Sequence, residues 1–211
     1  MTHSLFRKGT EENLDNDYTI LAITQKGIND VGSVEKKRRF LEIALRNNVV
    51  NSGGVGVGNL ICNTKKKLLE GISDKNAVQV CFFNKEDVIN VLKETIKEDL
   101  GISIVVQGLE NNLTDILKKV GLQFHTVNHS LGIWGKTCLL PNEEILEITT
   151  MCGHAMVSAN LVEQCIKDIK NGKTSIKAAA KLIGSPCVCG IFNVKRAEEL
   201  LQRALEKDNE Y

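Results

Sequence analysis

Ala77-Val78-Gln79-Val80-Cys81-Phe82-Phe83 runs into Asn84, an amphipathic stretch from Glu86 to Lys97, and then Ile102-Ser103-Ile104-Val105-Val106. The first run is apolar, rich in β-branched and aromatic side chains and short, which predicts a buried strand. Asn84 supplies an N-cap for the helix behind it, and Ile102 to Val106 predicts the next strand. Downstream, Leu113 to Val120 predicts a helix closed by Gly121, and Gln123 to Asn128 an extended segment. Upstream, Tyr18 to Thr24 reads as another buried strand and Val34 to Arg46 as its helix, with a further short helix over Lys65 to Glu70. Two successive strand, helix, strand units favour an α/β fold: a mostly parallel sheet covered by helices, with right-handed crossovers.

Beyond Trp134 the texture changes. Glu143 to Thr150, Ala155 to Asn171, a segment capped by Thr174 and ending at Ile183, and Asn193 to about Lys207 all predict helices. The expected organisation is an α/β body over 1–135 and a helical, cysteine-rich C-terminal lobe over 136–211, with no low-complexity linker between them.

The chain has 211 residues, 42% of them hydrophobic, with 27 Lys and Arg against 26 Asp and Glu. A chain of this length buries roughly 70% of its unfolded surface, so its core needs no disulfides. A net charge of +1 and an aromatic content of 4% argue against a nucleic-acid surface, which wants clustered cations and stacking rings. No apolar run approaches the roughly 20 residues of a membrane span, and Met1 to Lys8 lacks a secretory apolar region. The expectation is a cytoplasmic protein with no membrane partner.

Seven cysteines, at 62, 81, 138, 152, 165, 187 and 189, are many for such a chain. An odd number cannot all pair within one molecule, so they are core residues, reactive thiols or metal ligands. Cys81 lies in an apolar strand, and Cys165 on the stripe Val157, Leu161, Cys165, Ile169; both predict core positions, and packing is also the simpler reading of Cys62 and Cys138. The other three differ. Met151-Cys152-Gly153-His154 puts a thiol and an imidazole around a glycine ahead of a helix, where the dipole would lower the thiol pKa. Ser185-Pro186-Cys187-Val188-Cys189-Gly190 puts two thiols in one turn.

Three functional readings use these residues. In the first, Cys152, Cys187 and Cys189 ligate a metal: a [4Fe–4S] cluster with one iron open to substrate, or zinc with His154 as fourth ligand. The reaction would be of lyase or redox type on a small molecule, with His154 and His129 as acid/base groups. The second is a cofactor-free two-thiol isomerase or racemase, and the third a small-ligand-binding or redox-sensing protein without catalysis. A zinc deaminase needs a Glu two residues after its first ligand and a Pro-Cys-x-x-Cys; here His154 and Pro186-Cys187-Val188-Cys189 stand instead.

Met151-Cys152-Gly153-His154 resembles the Met-Cys-Gly-His segment of the proline racemase family, whose paired cysteines remove and return an α-carbon proton. That resemblance implies Cys152 as one acid/base thiol, carboxylate binding by the N–H groups around Gly153 and His154, and the partner thiol within Pro186-Cys187. Thr149 to Ser158 together with Pro186 to Asn193 is also similar to uncharacterised proteins of anaerobic microbes, which implies an oxygen-sensitive cluster.

Elsewhere, Gly53-Gly54-Val55-Gly56-Val57-Gly58 could let backbone N–H groups approach an anion, with Gly54 and Gly56 as cofactor contacts. It lacks both the dinucleotide pattern and a Gly-Lys-Ser/Thr. His125 and His129 sit about 13 Å apart if extended, too far for one ion; Asn128, His129 and Trp134 would then lie at a strand's carboxyl end, where open parallel sheets bind ligands. The expected partners are a small-molecule ligand and a second copy in a homodimer.

Overall fold

The computed structural model describes residues 6–207. Met1 to Leu5, on which part of the leader reading rests, lie outside them. Five strands, β1 (Tyr18–Ile23), β2 (Asn51–Gly54), β3 (Gly58–Asn59), β4 (Val78–Phe82) and β5 (Ser103–Gln107), form one sheet in the order β3-β2-β4-β1-β5. Every neighbouring pair is antiparallel. The sheet is therefore not mostly parallel, and of the two successive strand, helix, strand units expected, the one through Glu86 to Lys97 is present, while the one that would end at Gln123 to Asn128 is not, because that segment forms no strand. β1 leads through α2 (Val34–Arg46) to β2, and β4 through α4 (Lys85–Glu98) to β5. The strands of each unit run the same way but are not neighbours, because β4 separates β1 from β2 and β1 separates β4 from β5. Interleaving the units sets opposite directions side by side, the split β-α-β connectivity. Hydrophobic patterning identifies a strand without naming its neighbour.

One face of the sheet is apolar. Tyr18, Ile20 and Ala22 of β1 and Val78, Val80 and Phe82 of β4 pack on Phe40, Leu41, Ile43 and Ala44 of α2 and on Val88, Ile89 and Val91 of α4. These are alternate strand residues and a 3.6-residue helix stripe, each burying its own face. A further helix, α5 (Glu110–Val120), is closed by Gly121 in the left-handed conformation, as expected.

A second buried cluster forms from α6 (Glu143–Thr149), α7 (Ala159–Lys170), α8 (Ile176–Gly184) and α9 (Val194–Lys207), through Ile145, Ile148, Val162, Ala180, Ile183 and Leu201. Ser158 caps α7 by accepting from the Leu161 N–H, so this helix starts four residues later than expected. Ser175, rather than Thr174, caps α8. Cys81 and Cys165 are buried as expected, whereas Cys62 and Cys138 are exposed. Cys62 belongs to a turn held by the Asn59 side chain, and Cys138 to a single 3-10 turn, Thr137–Leu139.

Residues 122–136 form neither helix nor strand, and every residue from 121 to 140 is exposed. The expected extended segment over Gln123 to Asn128 thus pairs with no strand among the described residues. Among the described residues no helix is long and apolar enough to cross a membrane.

Candidate functional site

The glycine-rich stretch serves as a floor. Gly190 lies so close to β2 that a Cβ there would stand 2.1 Å from the Ser52 carbonyl carbon and 2.3 Å from the Gly53 nitrogen. A Cβ on Gly53 would meet the Val188 oxygen at 2.6 Å. Backbone touches backbone, which only glycine permits on both sides. Gly54 ends β2 and Gly56, at φ +87°, makes the tight turn into β3. The cavity beside them, lined by Gly53, Gly54, Ser52, Asn76 and apolar side chains, measures about 20 Å³, room for about one water. Gly54 and Gly56 therefore shape the hairpin beneath the cysteine turn.

Two buried asparagines fasten the turn. The Asn59 side-chain amide donates to the carbonyls of Cys187 at 2.8 Å and Ser185 at 3.1 Å. Its Oδ1 accepts from the N–H groups of Ile61 and Cys62 at 3.0 and 3.1 Å. Asn51 donates to the Phe192 carbonyl at 3.0 Å. Asn59→Ala would strand these carbonyls, and urea unfolding should show a loss of about 2 kcal/mol, with faster alkylation of Cys187 and Cys189. Unchanged stability and reactivity would show that Asn59 does not hold the turn.

Above this floor the sulfurs meet. Cys187 Sγ and Cys189 Sγ are 3.7 Å apart, and Cys189 Sγ is 3.5 Å from His154 Nδ1. Cys152 lies near them, its thiol influenced most by that of Cys187. It follows the C-terminus of α6 instead of opening a helix, so the expected dipole effect does not act on it. Its thiol is pushed up, first by the bond with Cys187 and then by burial. The bond from Cys152 pulls Cys187 down, but its own bond to Cys189 and burial carry it up to about 11. Cys189 is lowered by the Cys187 bond, against burial, with help from the Ile191 N–H. The backbone N–H groups of Met156 and His154, of Phe192 and of Ile191 act to lower the thiols of Cys152, Cys187 and Cys189 respectively. All three thiols are buried.

No protein-family model, curated protein or solved structure matches the chain.

The chemistry of the cluster rests on its own geometry. Two thiolates on one tetrahedral zinc, at the usual ~2.3 Å, stand about 3.8 Å apart, and a thiolate and an imidazole nitrogen about 3.5 Å. The Cys187–Cys189 and Cys189–His154 separations, 3.7 and 3.5 Å, match those edges. The contacts nevertheless run pairwise, from Cys152 through Cys187 and Cys189 to His154. Among the described residues, no three His, Cys, Asp or Glu already stand together at metal-binding spacing. A [4Fe–4S] cluster would seat each thiolate on a different iron and splay the sulfurs, so touching sulfurs fit one shared ion better than separate irons.

His129 is not part of the cluster. It sits on the exposed 121–140 segment, with Nδ1 3.6 Å from a Glu110 carboxylate oxygen. His125 and Trp134 share that exposed segment. Neither the small cavity at β2 nor the open groove beside Glu11, Asp15 and Glu110 is lined by Cys152, Cys187 or Cys189. Sequence reading missed Arg7, which donates to the Ile191 carbonyl at 2.9 Å and grips Asp17, tying the start of the described chain to the residue two beyond Cys189. Nothing local to Arg7 signals this, because its partner lies 184 residues away.

Proposed function

We propose that this chain is a metal-ligating protein in which Cys152, Cys187, Cys189 and His154 close on one zinc-sized ion, and that the ion joins the 152–154 turn to the 187–190 turn. The supporting observation is the pair of separations, 3.7 and 3.5 Å, that equal the edges of such a site. Backbone N–H groups near each sulfur favour the thiolate form that metal ligation needs. Four protein groups leave no open coordination position, which is the pattern of a structural ion rather than a catalytic one. Binding would require the two end groups of the chain, Cys152 and His154, to turn inward on a common centre. It would release the thiol protons, which the high pKa values of Cys152 and Cys187 hold in the metal-free protein.

A second reading, a redox-sensing dithiol, is favoured by the contact between the Cys187 and Cys189 sulfurs. With a peroxide, the Cys189 thiolate would attack the O–O bond to give a sulfenic acid. Cys187 would then displace its oxygen as water, so two thiols and one peroxide give one disulfide and two waters. The two-thiol isomerase is less well served, because its substrate carbon must sit between two thiols that are here buried and close enough to influence each other.

Titration of reduced, metal-free protein with Co²⁺ and then Zn²⁺ tests the proposal. The expected result is one ion per chain, a sulfur-to-cobalt absorption band displaced by zinc, and at least a tenfold loss of affinity in Cys189→Ser. Absence of metal uptake, or purification without oxygen yielding several irons with matching acid-labile sulfide, would overturn it. A metal-free protein that forms a Cys187–Cys189 disulfide with peroxide would put the redox reading in its place.

A further inference from the structure

The 121–140 segment is exposed along its whole length and carries a single charged residue, Lys136, among Phe124, Val127, Leu131, Ile133, Trp134 and Leu139. Leu131, Trp134 and Leu139 are 81%, 80% and 78% exposed. A contiguous apolar surface poor in charge is the composition of an interface core. The same chain has a matching deficit elsewhere. β5 pairs with β1 on one side only, and its apolar residues Ile104, Val105 and Val106 are only half-buried. Among the described residues, Gln123 to Asn128 has the β-branched and aromatic content of a strand but no partner strand, and the outer edge of β5 has no neighbouring strand.

We propose that the 121–140 segment docks on a second copy of this chain, laying Gln123 to Asn128 along the outer edge of β5 and covering Leu131, Ile133 and Trp134. A two-fold pair satisfies both deficits reciprocally, since each copy offers one segment and one edge. The area is sufficient. Covering an aliphatic or aromatic side chain removes about 60–120 Å² from water. The six named residues and the backbone they carry thus approach the roughly 800 Å² per partner of a stable interface. A second copy is favoured over a foreign partner because the acceptor edge lies on the same molecule as the segment that lacks one.

The test is light scattering over a dilution series, with the emission of Trp134, the sole tryptophan, and hydrogen exchange at Ile104 to Val106 followed in parallel. The expected result is a dimer whose tryptophan emission shifts to the red as it dissociates, with the outward-facing amides of β5, those not bonded to β1, exchanging slowly only while dimeric. Leu131→Asp combined with Trp134→Asp should give a monomer with an unchanged far-ultraviolet spectrum, because both side chains are exposed in the single chain. Leu139→Asp, if that pair fails to fold, makes the same cut. A protein that stays monomeric at high concentration, a dimer that survives the substitutions, or a dimer whose β5 exchange does not change on dissociation would overturn the proposal.

Discussion

Gly190→Ala will loosen the cysteine turn from β2 at a cost of about 2–4 kcal/mol, and will weaken cobalt binding at least tenfold. Gly190 has φ +74°, where an alanine pays about 1 kcal/mol for the left-handed conformation alone. Its Cβ would also stand 2.1 to 2.5 Å from three backbone atoms of Ser52 and Gly53. Backbone on both sides cannot rotate away as a side chain can, so the turn must lift, which adds the 1–3 kcal/mol typical of overpacking. Gly121 supplies the control. It has the same φ of +74°, but a Cβ there meets nothing within 4 Å. Gly121→Ala should therefore cost only about 1 kcal/mol in urea unfolding and leave metal affinity unchanged. Equal losses for the two variants would mean that the contact with β2 carries no energy of its own. A Gly190→Ala protein that unfolds as predicted yet binds cobalt normally would separate the floor from the sulfur cluster.

That contact also shows where sequence reading stops. Three helix ends were legible from the residue that supplies them. Asn142 accepts from the Ile145 N–H, Asn193 from the Arg196 N–H, and Gly121 closes α5 as expected. Ser158 competed with the broader glycine signal at Gly153 and won, because its hydroxyl reaches the Leu161 N–H directly. β1, β4 and β5 were legible as strands, whereas β2 and β3 were hidden by their glycines and Gln123 to Asn128 forms no strand; strand adjacency was not legible, since the alternation in β1 reads the same beside β2 as beside β4. Cys152, Cys187 and Cys189 stood out by their turn-forming neighbours, and His154 by its place beside Cys152. The role of the glycine run could not be read, because the reason for Gly53 is Val188, 135 positions later. His129 drew attention through a carboxyl-end rule for parallel sheets, and it lost that rationale when the sheet proved antiparallel.

Asp17→Ala is expected to be the most damaging single change, at about 3–5 kcal/mol, because it strips the shared counter-ion from two buried arginines. Asp17 is fully buried at the start of β1. Arg7 donates to both its oxygens, at 3.0 and 2.8 Å, Arg196 donates to Oδ2 at 2.8 Å, and Asn193 to Oδ1 at 3.1 Å. Two guanidiniums against one carboxylate already leave an excess positive charge, which the carbonyls of Lys8 and Ile191 help to solvate. Without Asp17, burial acts unopposed on both cations, and the Arg196 guanidinium is already lowered by it. For a chain of this size the loss corresponds to a melting point lower by roughly 10 °C. Urea unfolding should show an earlier midpoint at an unchanged slope. Asp17→Asn keeps one acceptor and the side-chain shape, so it should fall between wild type and Asp17→Ala. Pairing Asp17→Ala with Arg196→Met should recover part of the loss, since the penalty lies in the stranded charge more than in the missing bond. Arg7 would remain, still donating to the Ile191 carbonyl but no longer fixed from behind. Alkylation of Cys189 should therefore quicken in Asp17→Ala even under conditions where the protein stays folded. A loss below about 1 kcal/mol would show that water reaches these arginines and that the network does not anchor the turn.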